Sequence, residues 1–562
     1  MHRRMLAACA AAMLVAACHK SSSHRPPIVE EQADPAEVTV GERLFLETRF
    51  AQFFAANMVG GNVNAPLAAG DPTVDTIAKA DGVTFTGPFA GQSMNCRQCH
   101  LVDELDGVTD GGLRTYGDFG RRSPIPARAD GLTNAPRNAP PLVNASLARS
   151  GSFFLHFDGE FATSDDLVRG TLTGRNYGWA ADEGAQALAH IAKVIREDDG
   201  TGALAGDFGA LSYADTFAAA PNVPEELLLP APFQLNVATA TDQQILDAVA
   251  KLITAYVAQL EFAKDANGEF DGSPFDAFLK KNALPRQPNV GETELAYSRR
   301  LRGLVNGLAS PVFVTAKDGS FVHHAQTFQF GATELAGFQI FFAEPSAIPP
   351  TGPELAAGGI GNCIQCHNAP AFTDFRFHNI GTTQAEYESI HGGGSFNALV
   401  IPDLTTRNAD PDQFLPPSAA HPTAEGVFRR LSDAGDTRLT DLGVWNILGN
   451  PDVPLPQATL HDLIAQQNGL NPGTTTDDVL LPLTIAVFKT PGLRDLADGG
   501  PYMHTGQFDE IEDVLGHYLV ESGLARAGVV RNGDAQLSGI AITGGDIAAL
   551  AAFLRSLVED YD

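Results

Sequence analysis

The chain has 562 residues, of which 44% are hydrophobic and 19% are charged. This composition is typical of a globular protein with a substantial core, and the length allows two or three domains. The 67 acidic and 37 basic residues give a formal net charge of −30. This charge argues against binding to nucleic acid and against electrostatic binding to an anionic membrane surface.

The first residues indicate export. Arg3 and Arg4 precede an apolar run, residues 5–17, that is too short to cross a bilayer as a mature helix, and a polar segment follows Cys18. The pattern resembles a bacterial lipoprotein signal, 1–17, with lipidation of Cys18 and a tether over 18–36; an ordinary secretory signal is the alternative. His19, which is not an aspartate, favours the outer membrane. We therefore expect a periplasmic protein whose membrane contact is its lipid anchor.

Apolar periodicity predicts a mainly α-helical protein. Thr241 and Asp242 can cap the strongest helix, which covers residues 241–263. Residues 198–238 and 379–480 are rich in small residues, proline or aspartate and give no readable chemical signal. The other predicted helices cover residues 41–54, 182–197, 333–342, 424–433, 460–467 and 545–559.

A Cys-x-x-Cys-His pattern occurs twice, at Cys96-Arg97-Gln98-Cys99-His100 and at Cys363-Ile364-Gln365-Cys366-His367. This is the attachment pattern of c-type haem: the two thiols bind the porphyrin edge and the imidazole binds the iron. The sequence therefore predicts two covalently bound haem c groups, with His100 and His367 as proximal ligands. With Cys9 in the signal and Cys18 as anchor, no cysteine is left for a disulfide.

Further segments resemble the bacterial di-haem cytochrome c peroxidase/MauG superfamily. They cover both haem motifs in order, but not residues 198–238 or 379–480. The segments are residues 137–144 (RNAPPLVN), 157–159 (FDG), 273–276 (SPFD), 372–381 (FTDFRFHNIG), 488–495 (FKTPGLRD) and 501–506 (PYMHTG). The resemblance implies two cytochrome c-like haem domains with long loops and insertions: a peroxidatic domain, 37–310, and an electron-transfer domain, 311–562, with an insertion at about 379–480.

The resemblance also implies unequal haems. The C-terminal haem is six-coordinate in the family, and the residue 14 positions after His504 of the PYMH segment is its second ligand, which here is Tyr518. Met503 or His517 is the alternative. The displaceable distal histidine of the family's N-terminal haem corresponds to Tyr116, so we expect an open iron there, unless Tyr116 or Tyr177 enters the pocket.

In the family, an acidic residue acts as acid/base in O–O cleavage, and this sequence has no carboxylate at the matching place. Phe157 stands where the family has a tryptophan between the haems, and Tyr177 and Trp179 are candidates for electron relay. The candidate acid/base residues are Asp165, Asp166, Asp182 and Glu183. The resemblance further implies a Ca²⁺ ion held by the Asn138 side chain and by carbonyls near Gly499 and Pro501, since oxygen ligands suit this ion.

These inferences predict a di-haem peroxidase that reduces hydrogen peroxide at the N-terminal haem. Electrons would come from a small cytochrome c or cupredoxin through the C-terminal haem, and a homodimer is possible. One alternative is a MauG-like oxidase that uses a bis-Fe(IV) state on a protein or organic substrate. The others are an electron-transfer cytochrome with both irons saturated and an oxygenase related to the di-haem rubber-cleaving proteins.

Overall fold

The computed structural model describes residues 34–78, 84–87, 89–100, 124–147, 149, 153–202, 204–321, 324, 326–494, 496 and 500–559. The predicted signal peptide, Cys18, most of the tether, Tyr116 and Gly499 lie outside these residues. Within them, no helix is both long and apolar enough to cross a membrane.

The prediction of a mainly α-helical protein is confirmed. The helices of the first half are α1 (Ala36–Phe45), α2 (Gln52–Asn57), α3 (Pro72–Asp75), α4 (Ser164–Leu172), α5 (Gly184–Glu197), α6 (Tyr213–Phe217), α7 (Asp242–Gln259), α8 (Pro274–Lys281) and α9 (Glu294–Asn306). Those of the second half are α10 (Ala332–Phe341), α11 (Gly352–Ala357), α12 (Thr382–His391), α13 (Ser395–Ala398), α14 (Leu404–Ala409), α15 (Pro411–Phe414), α16 (Gln457–Gln467), α17 (Asp477–Leu480), α18 (Ile511–Arg526) and α19 (Ile547–Arg555). Two short antiparallel pairs accompany them, β1 (Thr76–Ala78) with β2 (Thr84–Thr86) and β3 (Phe377–His378) with β4 (Phe488–Lys489).

The first haem motif belongs to a core, here called the first core, that runs from Val38 to Phe270. Helices α1 and α7 cross in it at Gly41. A Cβ atom at Gly41 would lie 2.1 Å from the carbonyl oxygen of Leu252, so only glycine permits this approach. The crossing fixes the helix that precedes the haem motif against the helix that ends the core.

The second haem motif belongs to a second core, from Phe275 to Leu557, which repeats this arrangement. Helix α10, ahead of the motif, crosses α19 at Gly337, where a Cβ atom would lie 1.9 Å from the carbonyl oxygen of Ala549. Because α8 and α9 pack in the second core, the two cores divide between Phe270 and Phe275, whereas the sequence analysis placed the domain boundary at 310.

The insertion at about 379–480 supplies most of a third core, centred on the fully buried Trp445. Arg407 is also fully buried and donates to the backbone carbonyls of Trp445 and Leu448. The predicted helix at 460–467 is confirmed within α16. The predicted helix at 424–433 is wrong, because this segment forms turns and backbone bridges.

The predicted helix at 41–54 is also wrong in part, because helix α1 ends at Phe45 and α2 starts at Gln52. Buried charges organise the break. The backbone amide of Arg49 donates to the Glu47 carboxylate at 2.9 Å, and its guanidinium pairs with Asp198 at 2.9 Å. Arg43 reaches the same aspartate at 3.1 Å. The chain leaves the helix because these side chains must meet one another inside the core.

Candidate active site

The first haem motif is a single 3-10 turn, Cys96–Gln98, held from both sides by Asn95. The Asn95 side chain accepts from the Gln98 amide at 3.0 Å and donates to the Leu46 carbonyl at 2.9 Å. His100 follows at the end of the turn. Burial lowers the pKa of His100 to about 4, although the nearby Pro140 carbonyl opposes this shift. The imidazole is therefore neutral at physiological pH, which is the form that binds iron.

A cavity of about 800 Å³ opens beside Cys96, Cys99 and His100. Most of its walls are apolar, which suits a porphyrin. Helix α4 forms one wall, with Leu167, Val168, Thr171 and Leu172, and α7 forms another, with Ile253, Thr254 and Val257. Among the described residues that line it, His100 is the only imidazole, and none is a carboxylate.

Tyr177 is the predicted catalytic residue that the structure brings to this cavity. Its hydroxyl lies 3.1 Å from the Cys96 sulfur. Burial, with added repulsion from the Cys96 and Cys99 thiols, raises its pKa well above the usual value, so the phenol stays protonated. Trp179 is buried nearby and donates to the Phe50 carbonyl at 3.3 Å, but it does not line the cavity.

The predicted carboxylates stand apart from the cavity. Glu183 accepts from Arg128 at 2.6 Å and from the Ala180 amide at 2.8 Å. Partial burial acts to raise the pKa of Glu183, but these two donors together hold it below its usual value. Asp182 is exposed, and Asp166 binds Arg169 at 2.6 Å. None of these residues lines the cavity.

The second haem motif is also a 3-10 turn, Cys363–Gln365. The Nδ1 atom of His367 lies 3.0 Å from the Phe372 carbonyl. As a donor to this carbonyl, Nδ1 holds the ring in the tautomer that leaves Nε2 available for iron. The structure therefore fits a haem at this motif as well.

Tyr518 lies on α18, is partly buried and packs, like Cys363, against the second core. Burial raises the pKa of Tyr518, and the Cys366 and Cys363 thiols add to the shift. The predicted second ligand therefore lies in the core that holds the second motif, within electrostatic range of its two thiols. The alternative His517 is committed elsewhere, because its Nε2 atom lies 3.0 Å from the Ile380 carbonyl.

The aromatic rings of Phe157, His504 and Phe488 pack against one another. The ring centroid of Phe157 lies 6.5 Å from that of His504, and His504 stacks on Phe488 at 3.7 Å. Phe157 and His504, two of the predicted cofactor-binding residues, are therefore neighbours.

The insertion supplies charged residues to this region that the sequence analysis missed. Arg137 binds Asp441 at 2.6 Å and Asp158 at 2.5 Å, and all three side chains are buried. Arg429, also from the insertion, binds Glu160 at 2.5 Å. Arg137 could have indicated them, because the RNAPPLVN segment contains no acidic residue and a buried arginine needs carboxylate partners from elsewhere in the chain.

Three residues near this network have the spacing of a metal site, namely His156, Asp158 and Glu160. The Nδ1 atom of His156 lies 3.0 Å from Glu160. However, both carboxylates are already bound by Arg137 or Arg429. The ion pairs account for this cluster without a cation.

The predicted calcium ligands are partly brought together. The Asn138 side chain donates to the Pro501 carbonyl at 2.6 Å, and its backbone amide donates to the His504 carbonyl at 2.7 Å. The Asn138 side chain and the Pro501 carbonyl are therefore neighbours, with the amide nitrogen, not the amide oxygen, facing the carbonyl. Gly499 lies outside the described residues.

No protein-family model matches the chain. Among curated proteins, the methylamine utilization protein MauG of Methylorubrum extorquens is 62% identical over 32 residues, which are 6% of this chain and 9% of MauG. The chain is similar to MauG over this stretch. The match confirms the predicted resemblance to MauG there, and it covers less than a tenth of the length of MauG.

Two solved structures also align with the chain. One is a MauG-like protein associated with microbial copper homeostasis, with a TM-score of 0.42 and 15% identity over 94% of this chain and 91% of that chain. The other is the diheme peroxidase BthA from Burkholderia thailandensis, with a TM-score of 0.42 and 16% identity over 94% of this chain and 87% of that chain.

Proposed function

We propose that the chain is an exported di-haem c-type peroxidase that reduces hydrogen peroxide at the haem of His100, with electrons relayed through the haem of His367. The observation that carries the proposal is the difference between the two motifs. An apolar cavity opens beside His100, whereas the second motif has Tyr518 packed in the same core as Cys363. A bound haem supplies the redox chemistry and the iron that receives peroxide.

Tyr177 is the protic group in this proposal. Cleavage of an O–O bond requires a group that delivers a proton to the leaving oxygen. Tyr177 is protonated, and the described lining of the cavity contains no carboxylate. Its hydroxyl can therefore hold a proton at the wall of the cavity, while Leu167 and Val168 exclude bulk water.

The rings of Phe157, His504 and Phe488 form the proposed route for electrons between the sites. The proposed donor is a small cytochrome c or cupredoxin, and a net charge of −30 suits a basic one. Export to the periplasm and a lipid anchor at Cys18 follow from the signal-like first residues. A Ca²⁺ ion at Asn138 and Pro501 completes the proposal.

The test is the addition of one equivalent of hydrogen peroxide to the diferric holoprotein, followed by reduced cytochrome c. We expect a fast spectral change of one haem, and oxidation of the added cytochrome c in a single two-electron turnover. No spectral change, together with no cyanide binding to either haem, would contradict the proposal and would leave an electron-transfer cytochrome.

Oxidation of a protein or organic substrate, as a MauG-like oxidase, is the second candidate. Tyr518 favours it, because a tyrosine oxygen is a hard donor that stabilises oxidised iron. A near-infrared absorption band that persists after peroxide is added, with slow turnover of cytochrome c, would favour this function over the first.

A further inference from the structure

A second cavity, of about 1020 Å³, lies where the first and second cores meet. It adjoins the cavity beside His100, since Leu142, Ala145, Leu155 and Leu167 line both. Three cationic side chains line it, namely Arg149, Lys489 and Arg494. Arg494 is neutralised by Asp276, at 2.9 and 3.0 Å. The other two are not.

Lys489 points its amine into the protein and away from carboxylates. Its Nζ atom donates to the Phe154 carbonyl at 3.0 Å, and no ion pair of Lys489 occurs in the described part of the chain. Asp158 is an acid near it, but Arg137 already binds that carboxylate at 2.5 Å. Burial and the charge of Arg149 lower the pKa of Lys489 to about 7, which is the expected response of an uncompensated cation.

Arg149 likewise has no carboxylate partner among the described residues. It donates to the carbonyls of Ala145 at 2.9 Å and Leu147 at 3.3 Å, and its guanidinium lies between the rings of Phe153 and Phe375, at 4.2 and 3.9 Å. Across the described residues it forms no ion pair. Burial lowers its pKa to about 10. Two cations that repel each other in one cavity are costly unless an anion joins them.

We propose that Lys489 and Arg149 form a binding site for a carboxylate in this cavity, and that the carboxylate is a haem propionate. A haem attached at Cys96 and Cys99 carries its propionates on the opposite edge, and the shared lining residues make the second cavity the continuation of the first. Arginine can bind such a carboxylate with two parallel hydrogen bonds, and lysine adds a point charge. The inference needs haem in the protein but not peroxidase activity.

The test compares the midpoint potentials of both haems in the holoprotein and in the Lys489→Met and Arg149→Met variants. Removal of a cation beside a propionate favours ferric iron. We expect the Fe(III)/Fe(II) ratio of the haem at Cys96 and Cys99 to rise about tenfold at a fixed potential in either variant. This corresponds to a decrease of its midpoint potential by about 59 mV. The other haem should keep its potential. Lys489→Arg should retain the potential of the wild type.

Lys280→Met is the matched control, because Lys280 is 59% exposed on the surface of α8 and pairs with Asp271. It should change neither potential. Covalent haem content, measured as pyridine haemochrome, shows whether each variant is loaded. If Lys489→Met does not load, Arg149→Met and Lys489→Arg still test the site in folded protein.

A free carboxylate is the other source of the same chemistry, and benzoate is the probe for it. Unchanged potentials, together with benzoate binding that is at least tenfold weaker in the variants than in the wild type, would support the carboxylate site and overturn the propionate as its occupant. Unchanged potentials and no effect on benzoate binding would overturn the site. If the wild type shows no peroxide turnover but the variants show the expected shift of potential, the proposed function is contradicted and the propionate site is not.

Discussion

The two haem motifs have the same local structure and different surroundings. Each is a 3-10 turn that follows a helix crossing the last helix of its core at a glycine. Beside His100 the neighbouring wall is α4, whose cavity-lining side chains are mostly apolar, and a cavity opens. In the second core, α18 brings Tyr518 into the core that also holds Cys363. The motif therefore sets where a haem would be attached, and in the proposed function a distant helix sets whether its iron is open.

The sharpest test of this difference is Tyr518→Phe. If Tyr518 fills the second position of one iron, its loss opens that iron, and cyanide binding should rise from about one to about two per chain, since phenylalanine offers no ligand atom. Optical and EPR titrations of the diferric protein measure this. Tyr387→Phe is the control, because the Tyr387 hydroxyl donates to the Thr437 carbonyl within the insertion.

If the wild-type protein already binds two cyanides, both irons are open and the proposed difference between the two haem sites is contradicted. An unchanged low-spin signal in Tyr518→Phe would instead show that another group is the ligand. His517 is a poor replacement because it is committed to the Ile380 carbonyl.

The next largest effect should come from the buried ion pairs of Arg137. Arg137 compensates both Asp158 and Asp441, so Arg137→Met leaves two buried carboxylates without this partner. Such a loss costs about 3–5 kcal/mol of folding free energy. Urea denaturation of the holoprotein measures it. The double variant Arg137→Met/Asp441→Leu should recover part of the loss, and full additivity of the two single changes would contradict a direct contact.

The sequence predicts the attachment of both haems because a five-residue motif is local, and covalent chemistry requires that spacing. It also predicts α7 and α19, whose apolar faces repeat regularly. It could not predict Asp441 or Arg429, because their partners lie hundreds of residues earlier in the chain and the insertion has no periodic pattern. The interruption after α1 was missed for the same reason, since Arg49 leaves the helix to pair with the distant Asp198 and Glu47 turns to pair with Arg49.

The same distinction between local sequence and distant contacts applies to the residues of the candidate sites. Tyr518 was predicted from the family resemblance, and it lies in the second core with Cys363. Tyr177 was named as an occupant of the pocket or an electron relay, and its hydroxyl lies 3.1 Å from the Cys96 sulfur. Glu183 was chosen only because it is acidic and close in sequence, and it is instead paired with Arg128. Lys489 stands in a recognised segment, but only the packed structure shows that it has no carboxylate partner among the described residues.

Tyr177→Phe should have a smaller effect, confined to the open site. General acid catalysis contributes about 100-fold or more, so the second-order rate constant for the reaction with peroxide should fall about 100-fold while cyanide affinity changes little. Stopped-flow spectroscopy measures both. Tyr297→Phe is the control, since this hydroxyl binds the Pro285 carbonyl in the second core. An unchanged peroxide rate would show that the proton comes from elsewhere.

The smallest expected effect concerns the independence of the two cores. Helix α7 of the first core begins with a capping box in which Thr241 accepts from the Gln244 amide at 3.2 Å, and the Gln244 side chain accepts from the Thr241 amide at 2.9 Å. Thr241→Ala removes an exposed cap worth about 1 kcal/mol. Amides of α1 and α7 should exchange with deuterium about fivefold faster, and amides of α10 and α19 should not change.

The matched change in the second core is Ser273→Ala, at the start of α8. Its hydroxyl binds Asp276 at 2.7 Å, and that buried carboxylate also binds Arg494. Loss of a buried partner costs more than loss of an exposed cap, so exchange should accelerate more here than in Thr241→Ala, and in α10 and α19 rather than α1 and α7. If either variant accelerates exchange equally in both cores, the two cores unfold as one unit and not independently.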